Sequence, residues 1–231
     1  MNTAQLKRLF DSQVQRLEER GVGQSVLDSL SKRRESVLAK VAGMVFRKAR
    51  VPFLPVIPLQ ILDMFVQTKM VFHKGKDGRA AAGLVHEHGV PAFKDRVLAP
   101  EQPYYILDVE DGAALLDKSP QKAETIVQEQ KRSCLIVPEI ISLCIHTHVL
   151  SHHDVDATGS FTPRRYDFID KVWSPSLIPI LRLCYGQGVT GRPPDDPNYW
   201  WERPDLVWHP EDQTYFASLR GSATPSCVER F

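Results

Sequence analysis

The order of apolar patterns along this chain predicts an α+β fold, or a layered α/β one, with a central mixed sheet and helices packed on it. Three observations carry that prediction. Two N-terminal stretches repeat apolar residues at helical spacing. Residues 51–58 and 104–109 are short, β-branched or aromatic runs bounded by proline or glycine. Ser119-Pro120 and Pro138 each open a further helical pattern with proline in the first turn, where its missing N–H costs nothing.

Taken in order, Leu6, Leu9, Phe10, Val14 and Leu17 form one apolar stripe, and Gly21 stops it. Ser25 with Asp28 resembles a capping box, and Val26, Leu27, Leu30, Val37, Leu38, Val41 and Val45 carry a second amphipathic helix. Residues 1–50 therefore read as a helical hairpin, packed on the chain's own core or, alternatively, pairing with a second copy in a homodimer. Residues 51–58 contain three prolines, which confines such a strand to a sheet edge or a bulge. Residues 59–72 return to helical character. The loop 73–79 sets two glycines among three cations but lacks the phosphate-loop spacing, so it reads as a turn. Residues 80–99 look irregular, with a turn at Gly89-Val90-Pro91.

Residues 104–109 read as a buried strand closing at Asp111-Gly112. A surface helix follows from Ser119 to about Arg132, with Ala123, Ile126 and Val127 as its apolar stripe. Residues 134–137 are a second short strand. The helix after Pro138 is apolar around most of its circumference, through Ile140, Ile141, Leu143, Cys144 and Ile145. Its exceptions, Glu139, Ser142 and His146, fall on one line at about 100° per residue. That line is either a solvent edge or a pocket wall. Residues 151–160 read as a polar loop, 166–173 as a weakly alternating strand, and 177–185 as an apolar run. From Arg192 on, prolines alternate with Tyr199, Trp200, Trp201 and Trp208. This predicts an irregular tail over residues 192–231, lashed by its aromatics onto a single globular domain of residues 1–191. Those aromatics also suit a sugar- or base-stacking platform.

At 231 residues and a formal charge of +1, the chain can bury a sizeable core and has no general surface for coating nucleic acid. Its local basic clusters, Lys32-Arg33-Arg34 and Arg47-Lys48 with Arg50, read as solvated helical faces. Four widely spaced cysteines form no CxxC pair, and no apolar run would cross a bilayer. Both point to a reducing cytoplasm without structural disulfides.

Two constellations have the residue types for chemistry. His146, His148, His152, His153, Asp154 and Asp156 offer donors for a divalent metal, and hence a metal-dependent hydrolase. On a helix, however, His146 and His148 diverge by about 200°, and no HExxH order is present. Glu139, Ser142 and His146 imitate an acid, nucleophile and base, but without a nucleophile elbow. Ser119 and Lys122 match an SxxK spacing whose companion motifs are missing. Asp108, Glu110 and Asp111 cluster where a strand ends and would serve as an acid–base pair only if the fold sets their separation.

Val51-Pro52-Phe53, the strand at 105–110, Ser119-Pro120 with Ala123 and Ile126, and the helix carrying Glu139, Ile141, Ser142, Leu143 and His146 resemble an uncharacterised bacterial family. It is a domain of unknown function, number fifty-seven-oh-one. Val172-Trp173-Ser174 and Leu183-Cys184-Tyr185-Gly186 are similar to its C-terminal segment. The resemblance runs from about Val51 to Gly188, departs beyond it, and implies no mechanism. It places Asp108, Glu139, His146 and Trp173 on matching positions. The resulting expectation is a small-molecule- or partner-binding domain with no cofactor, and a pocket formed by Asp108, Glu139, Ser142, His146 and Trp173.

Overall fold

The computed structural model describes residues 1–46, 50–85, 90–116, 118–162, 166–167, 172–173, 176–187, 200–210 and 222–231. Of residues 166, 167, 172, 173, 185–187, 200–202, 209 and 210 only the backbone is described. The architecture is α+β. The helices are α1 Thr3–Glu19, α2 Gln24–Ser31, α3 Arg34–Ala42, α4 Met64–Lys69, α5 Pro120–Glu129 and α6 Val137–His146. Strands β1 Arg50–Val56, β2 Arg79–Ala80, β3 Tyr104–Glu110, β4 Ser133–Cys134 and β5 Asp154–Asp156 come from the first two thirds of the chain. Strands β6 Leu177–Gln187, β7 Trp200–Pro210, β8 Ser222–Ala223, β9 Ser226–Cys227 and β10 Glu229–Arg230 complete two five-stranded sheets.

The first sheet has the order β1-β3-β9-β4, with β10 also paired to β3; the second has the order β8-β5-β6-β7-β2. Strand β1 is an edge strand, as its prolines require. Its register pairs Phe53 with Leu107 and Pro55 with Tyr105, so period-two alternation puts Phe53 and Tyr105 on one face of the sheet. There the Phe10 ring of α1 packs with centroids 5.3 Å from Tyr105 and 6.0 Å from Phe53. Gln13 Nε2 adds a buried hydrogen bond to the Phe53 carbonyl at 2.9 Å. Tyr104 points to the opposite face, toward α6. Covered on both sides, β3 is buried from Tyr104 to Val109.

Asn2 starts α1, exchanging side chain–backbone bonds with Gln5 at 2.8 and 2.9 Å. The second N-terminal helix is broken at Lys32-Arg33. The break lets Leu27 and Leu30 of α2 and Val37, Leu38 and Val41 of α3 all enter the core. Residues 59–72 yield only α4, because Asp63 caps it, accepting from Phe65 N at 2.7 Å. The glycine loop is a tight hairpin turn between Phe72–His73 and Lys76–Asp77, with φ of 45° at Lys74 and 80° at Gly75.

The C-terminal region departs most from the sequence reading. Strands β6 and β7 pair antiparallel over their whole length, so residues 200–210 are regular strand despite Pro204 and Pro210. The expected polar loop contains β5, whose three residues are buried. Residues 222–230 lie on both sheets: β8 runs beside β5, and β9 and β10 then return to β3. The chain end is thus part of the sheet framework, and Thr158 Oγ1 donates to Thr224 Oγ1 at 2.9 Å where the two sheets meet. The proline-rich residues 193–199, Gly89, Ser174 and the Arg47-Lys48 cluster lie outside the described residues. No helix among the described residues is long and apolar enough to cross a membrane.

Candidate functional site

Proline in the first turn starts α6 as expected, but its polar line does not open onto a pocket. Glu139 is fully buried. Its Oε1 accepts from Tyr104 Oη at 2.9 Å and Arg230 Nε at 2.7 Å, and its Oε2 from Ile136 N at 3.0 Å and Arg230 Nη2 at 2.8 Å. Arg230 also donates to Ser133 Oγ and the Cys134 carbonyl. Burial alone would lower the Arg230 pKa, and the Glu139 carboxylate more than reverses it, so the guanidinium stays charged. Burial, reinforced by Glu139, raises the Tyr104 phenol. This carboxylate is saturated and structural. Ser142 is spent too, its hydroxyl donating to the Pro55 carbonyl of β1.

His146 is half-buried as a residue, yet both ring nitrogens are shut off from water and have no hydrogen-bond partner. Burial, and then the nearby Arg16 guanidinium, push its pKa down to about 3 from 6.5. The folded chain therefore holds it neutral, while the unfolded chain takes up a proton below pH 6.5. The stability this residue allows is complete above that pH and falls toward pH 3, by at most about 1.4 kcal/mol per pH unit. In urea titrations His146→Leu should shrink the stability lost between pH 7 and pH 5 by about 1–2 kcal/mol. An unchanged difference would show that the imidazole is accessible to protons after all.

The histidine cluster is dispersed. Helix α6 ends at His146, where Thr147 turns extended and its hydroxyl donates to the Leu143 carbonyl at 2.6 Å. His148 and His152 consequently leave the helix and are exposed, whereas His153 and Asp154 are buried. His153 Nδ1 lies 2.8 Å from the Asp154 carbonyl, and Asp154 Oδ1 accepts from Leu183 N. Among the described residues, no group of three or more His, Cys, Asp or Glu is placed to hold a metal ion. The metal set His148, His152, His153 and Asp154 is corrected accordingly: the helix that would have aligned it stops too early. The four cysteines form no disulfide, and burial pushes the Cys134 and Cys227 thiols up to about 12, far from nucleophilic thiolate.

Among the predicted pocket residues whose side chains are described, Asp108 is the one that lines this cleft. The cleft is about 630 Å³ and is walled by Arg50, Asp108, Glu110, Asp111, Gly112, Arg132 and Thr224, with Ala113, Leu115 and Val228 as apolar patches. A charged side chain inside a buried strand needs a cation, and Asp108 has two. Asp108 Oδ2 accepts from Arg50 Nη1 at 2.6 Å and from Arg132 Nη1 at 2.8 Å. Arg50 completes its fork on Glu110 Oε1, at 3.2 Å from Nε and 3.0 Å from Nη2. Arg132, almost wholly buried, also donates from Nε to Ser226 Oγ at 2.8 Å and from Nη2 to the Ser226 carbonyl at 3.1 Å.

The backbone is unusual at the same point. Asp108 has φ of 51° in mid-strand, in the left-handed region that few residues other than glycine, asparagine and aspartate tolerate. The register sets Pro52 opposite it, which has no N–H to offer; Arg132 Nη2 donates to the Asp108 carbonyl instead. Gly112, with φ of 92°, then turns the chain so tightly that a Cβ would stand 2.6 Å from the Thr224 carbonyl carbon. Asp111 Oδ1 holds the turn by accepting from Ala113 N at 2.9 Å.

One atom beside the cleft is left over. Asp108 Oδ1 is buried and has no hydrogen-bond partner. The structure thus separates the expected pocket set: Asp108 lines the cleft, Glu139 and Ser142 are locked in internal bonds, and His146 is sealed. Trp173 lies in a short strand pair with residues 166–167, and its side chain is outside the described residues. Arg50, read from the sequence as part of a solvated helical face, instead begins β1 with its guanidinium mostly buried, and Arg132 and Ser226 escaped the sequence reading. The only cue to them was an aspartate inside an aliphatic run, which demands a cation without saying which one. Compared with family models, with curated proteins and with solved structures, the chain matches none.

Proposed function

We propose that this chain is a small-molecule-binding domain whose site is the Asp108 cleft at the end of β3. The observation that supports it is a cleft of about 630 Å³, walled by two arginines and three carboxylates, whose size suits a small organic ligand. The left-handed backbone at Asp108 is a cost held at the same spot, and such strain gathers where ligands bind. The two arginines fix the carboxylate so that little ordering remains to be done on binding.

Ligand-detected NMR with a library of small polar metabolites tests this reading on the full chain. Binders should lose at least about tenfold in affinity in Asp108→Asn, a change that suits the left-handed backbone and replaces one carboxylate oxygen by an amide NH2. A library without binders, or binders indifferent to residue 108, would remove the proposal. The metal-dependent hydrolase reading gains nothing from the dispersed histidines. The homodimer reading has lost its apolar helix faces to the chain's own core, where Leu6, Phe10, Leu17 and Leu30 are buried.

A further inference from the structure

We infer that residues 222–231 form a strap that opens as one unit while the rest of the fold stays closed, and that its docking builds one wall of the Asp108 cleft. The inference concerns that wall and holds whatever the cleft binds. The strap supplies Thr224 and Val228 to the cleft lining. It also holds the neighbouring arginine, since Ser226 accepts from Arg132 through both its hydroxyl and its carbonyl. Gly112, another lining residue, sits against the Thr224 carbonyl with no room for a Cβ. Undocking the strap takes away this wall and releases Arg132 from Ser226.

What holds the strap differs from what holds the core. Its strands β8, β9 and β10 are two residues each. Its buried side chains are all small, Ser222, Ala223, Thr224, Pro225, Ser226 and Cys227, and three of the six carry a hydroxyl. Docking therefore hides little apolar area, and the hydrophobic effect contributes little. The attachment is polar instead. Val228 N donates to the Leu107 carbonyl at 3.0 Å, and Phe231 and Tyr105 exchange main-chain bonds at 2.7 and 2.8 Å. Arg230 is latched on Glu139, while Lys40 of α3 pairs with Glu229 and lies over the Phe231 ring. The core rests on large buried side chains such as Phe10, Phe53, Leu54 and Ile141. Releasing the strap uncovers far less apolar surface than unfolding that core, which is the condition for a segment to open separately.

Two buried thiols report the two events, Cys227 in the strap and Cys144 in α6. Labelling of the full chain with N-ethylmaleimide, followed at each cysteine by mass spectrometry over a urea series, tests the inference. Without urea, Cys227 should label at least about tenfold faster than Cys144, in proportion to the open population. Its rate should also climb less steeply with urea, because less surface is uncovered. Phe10→Ala should speed Cys144 by at least about a hundredfold and Cys227 by less than about threefold, since the core is intact before and after the strap opens. The urea slopes of the unaltered chain carry the test if this variant fails to fold. Amide exchange at Val228 and Phe231 should follow the same opening as Cys227. Equal rates and slopes at the two cysteines, or equal acceleration by Phe10→Ala, would overturn the inference. So would fast labelling of Cys227 with Val228 and Phe231 amides as protected as those of α6.

Discussion

Arg230→Ala is expected to lower the free energy of unfolding by about 3–5 kcal/mol, although it alters the penultimate residue of the chain. Chain ends usually tolerate change, but this one carries the cation that neutralises Glu139, a carboxylate with no exposed surface. Alanine would strand that charge in the core with only the Tyr104 hydroxyl and the Ile136 N–H as donors. It would also release the Ser133 hydroxyl and the Cys134 carbonyl, and with them the hold of β10 on the sheet. Urea unfolding followed by far-UV circular dichroism measures the loss. The double variant Glu139→Gln/Arg230→Met should recover much of it, because no buried charge is then left uncompensated. A single-variant loss below about 1 kcal/mol would mean that the pair is more hydrated than its burial implies.

Phe10→Ala should cost a similar amount, about 3–5 kcal/mol, by a different route. The ring fills the space between Phe53 of β1 and Tyr105 of β3, and it is the largest apolar contribution of α1 to the core. Removing it leaves a cavity under a helix that is otherwise tied to β1 through Gln13. Chemical denaturation gives the magnitude. Amide exchange should show α1 protection falling more than that of β3, which keeps partners on both sides. Equal loss in α1 and β3 would place the ring's role in the sheet rather than in docking the helix. The same residues bear on association: an apolar stripe committed to Phe53 and Tyr105 is not available to a second chain.

Much of the framework was legible because its signals are local. A proline removes one donor wherever it falls, so the prolines of residues 51–58 confined that strand to a sheet edge or a bulge before any partner was known. Pro120 and Pro138 marked helix starts for the same reason. The aromatic and aliphatic run at 104–109 could be read as a buried strand from its composition. The same local logic failed at residues 200–210, where prolines and tryptophans suggested irregular chain. Pairing with 177–187 over eleven residues outweighs the few donors lost. It failed again at 154–156, whose two aspartates hide a strand that the second sheet needs.

The sequence by itself determined the α+β class, the N-terminal helices, the proline-limited strand at 51–58 and the helix bearing Glu139, Ser142 and His146. Periodicity and the missing proline N–H act within a few residues, and those features need nothing more. Tertiary structure alone decided which polar side chains meet. Asp108 finds Arg50 from 58 residues upstream and Arg132 from 24 residues downstream, and Glu139 finds Arg230 across 91 residues. An ion pair depends on distance in space and on the loss of water around it, and neither is written in spacing along the chain. The carboxylate on α6 therefore became a lock for residue 230, while the one on β3 came to line a cleft.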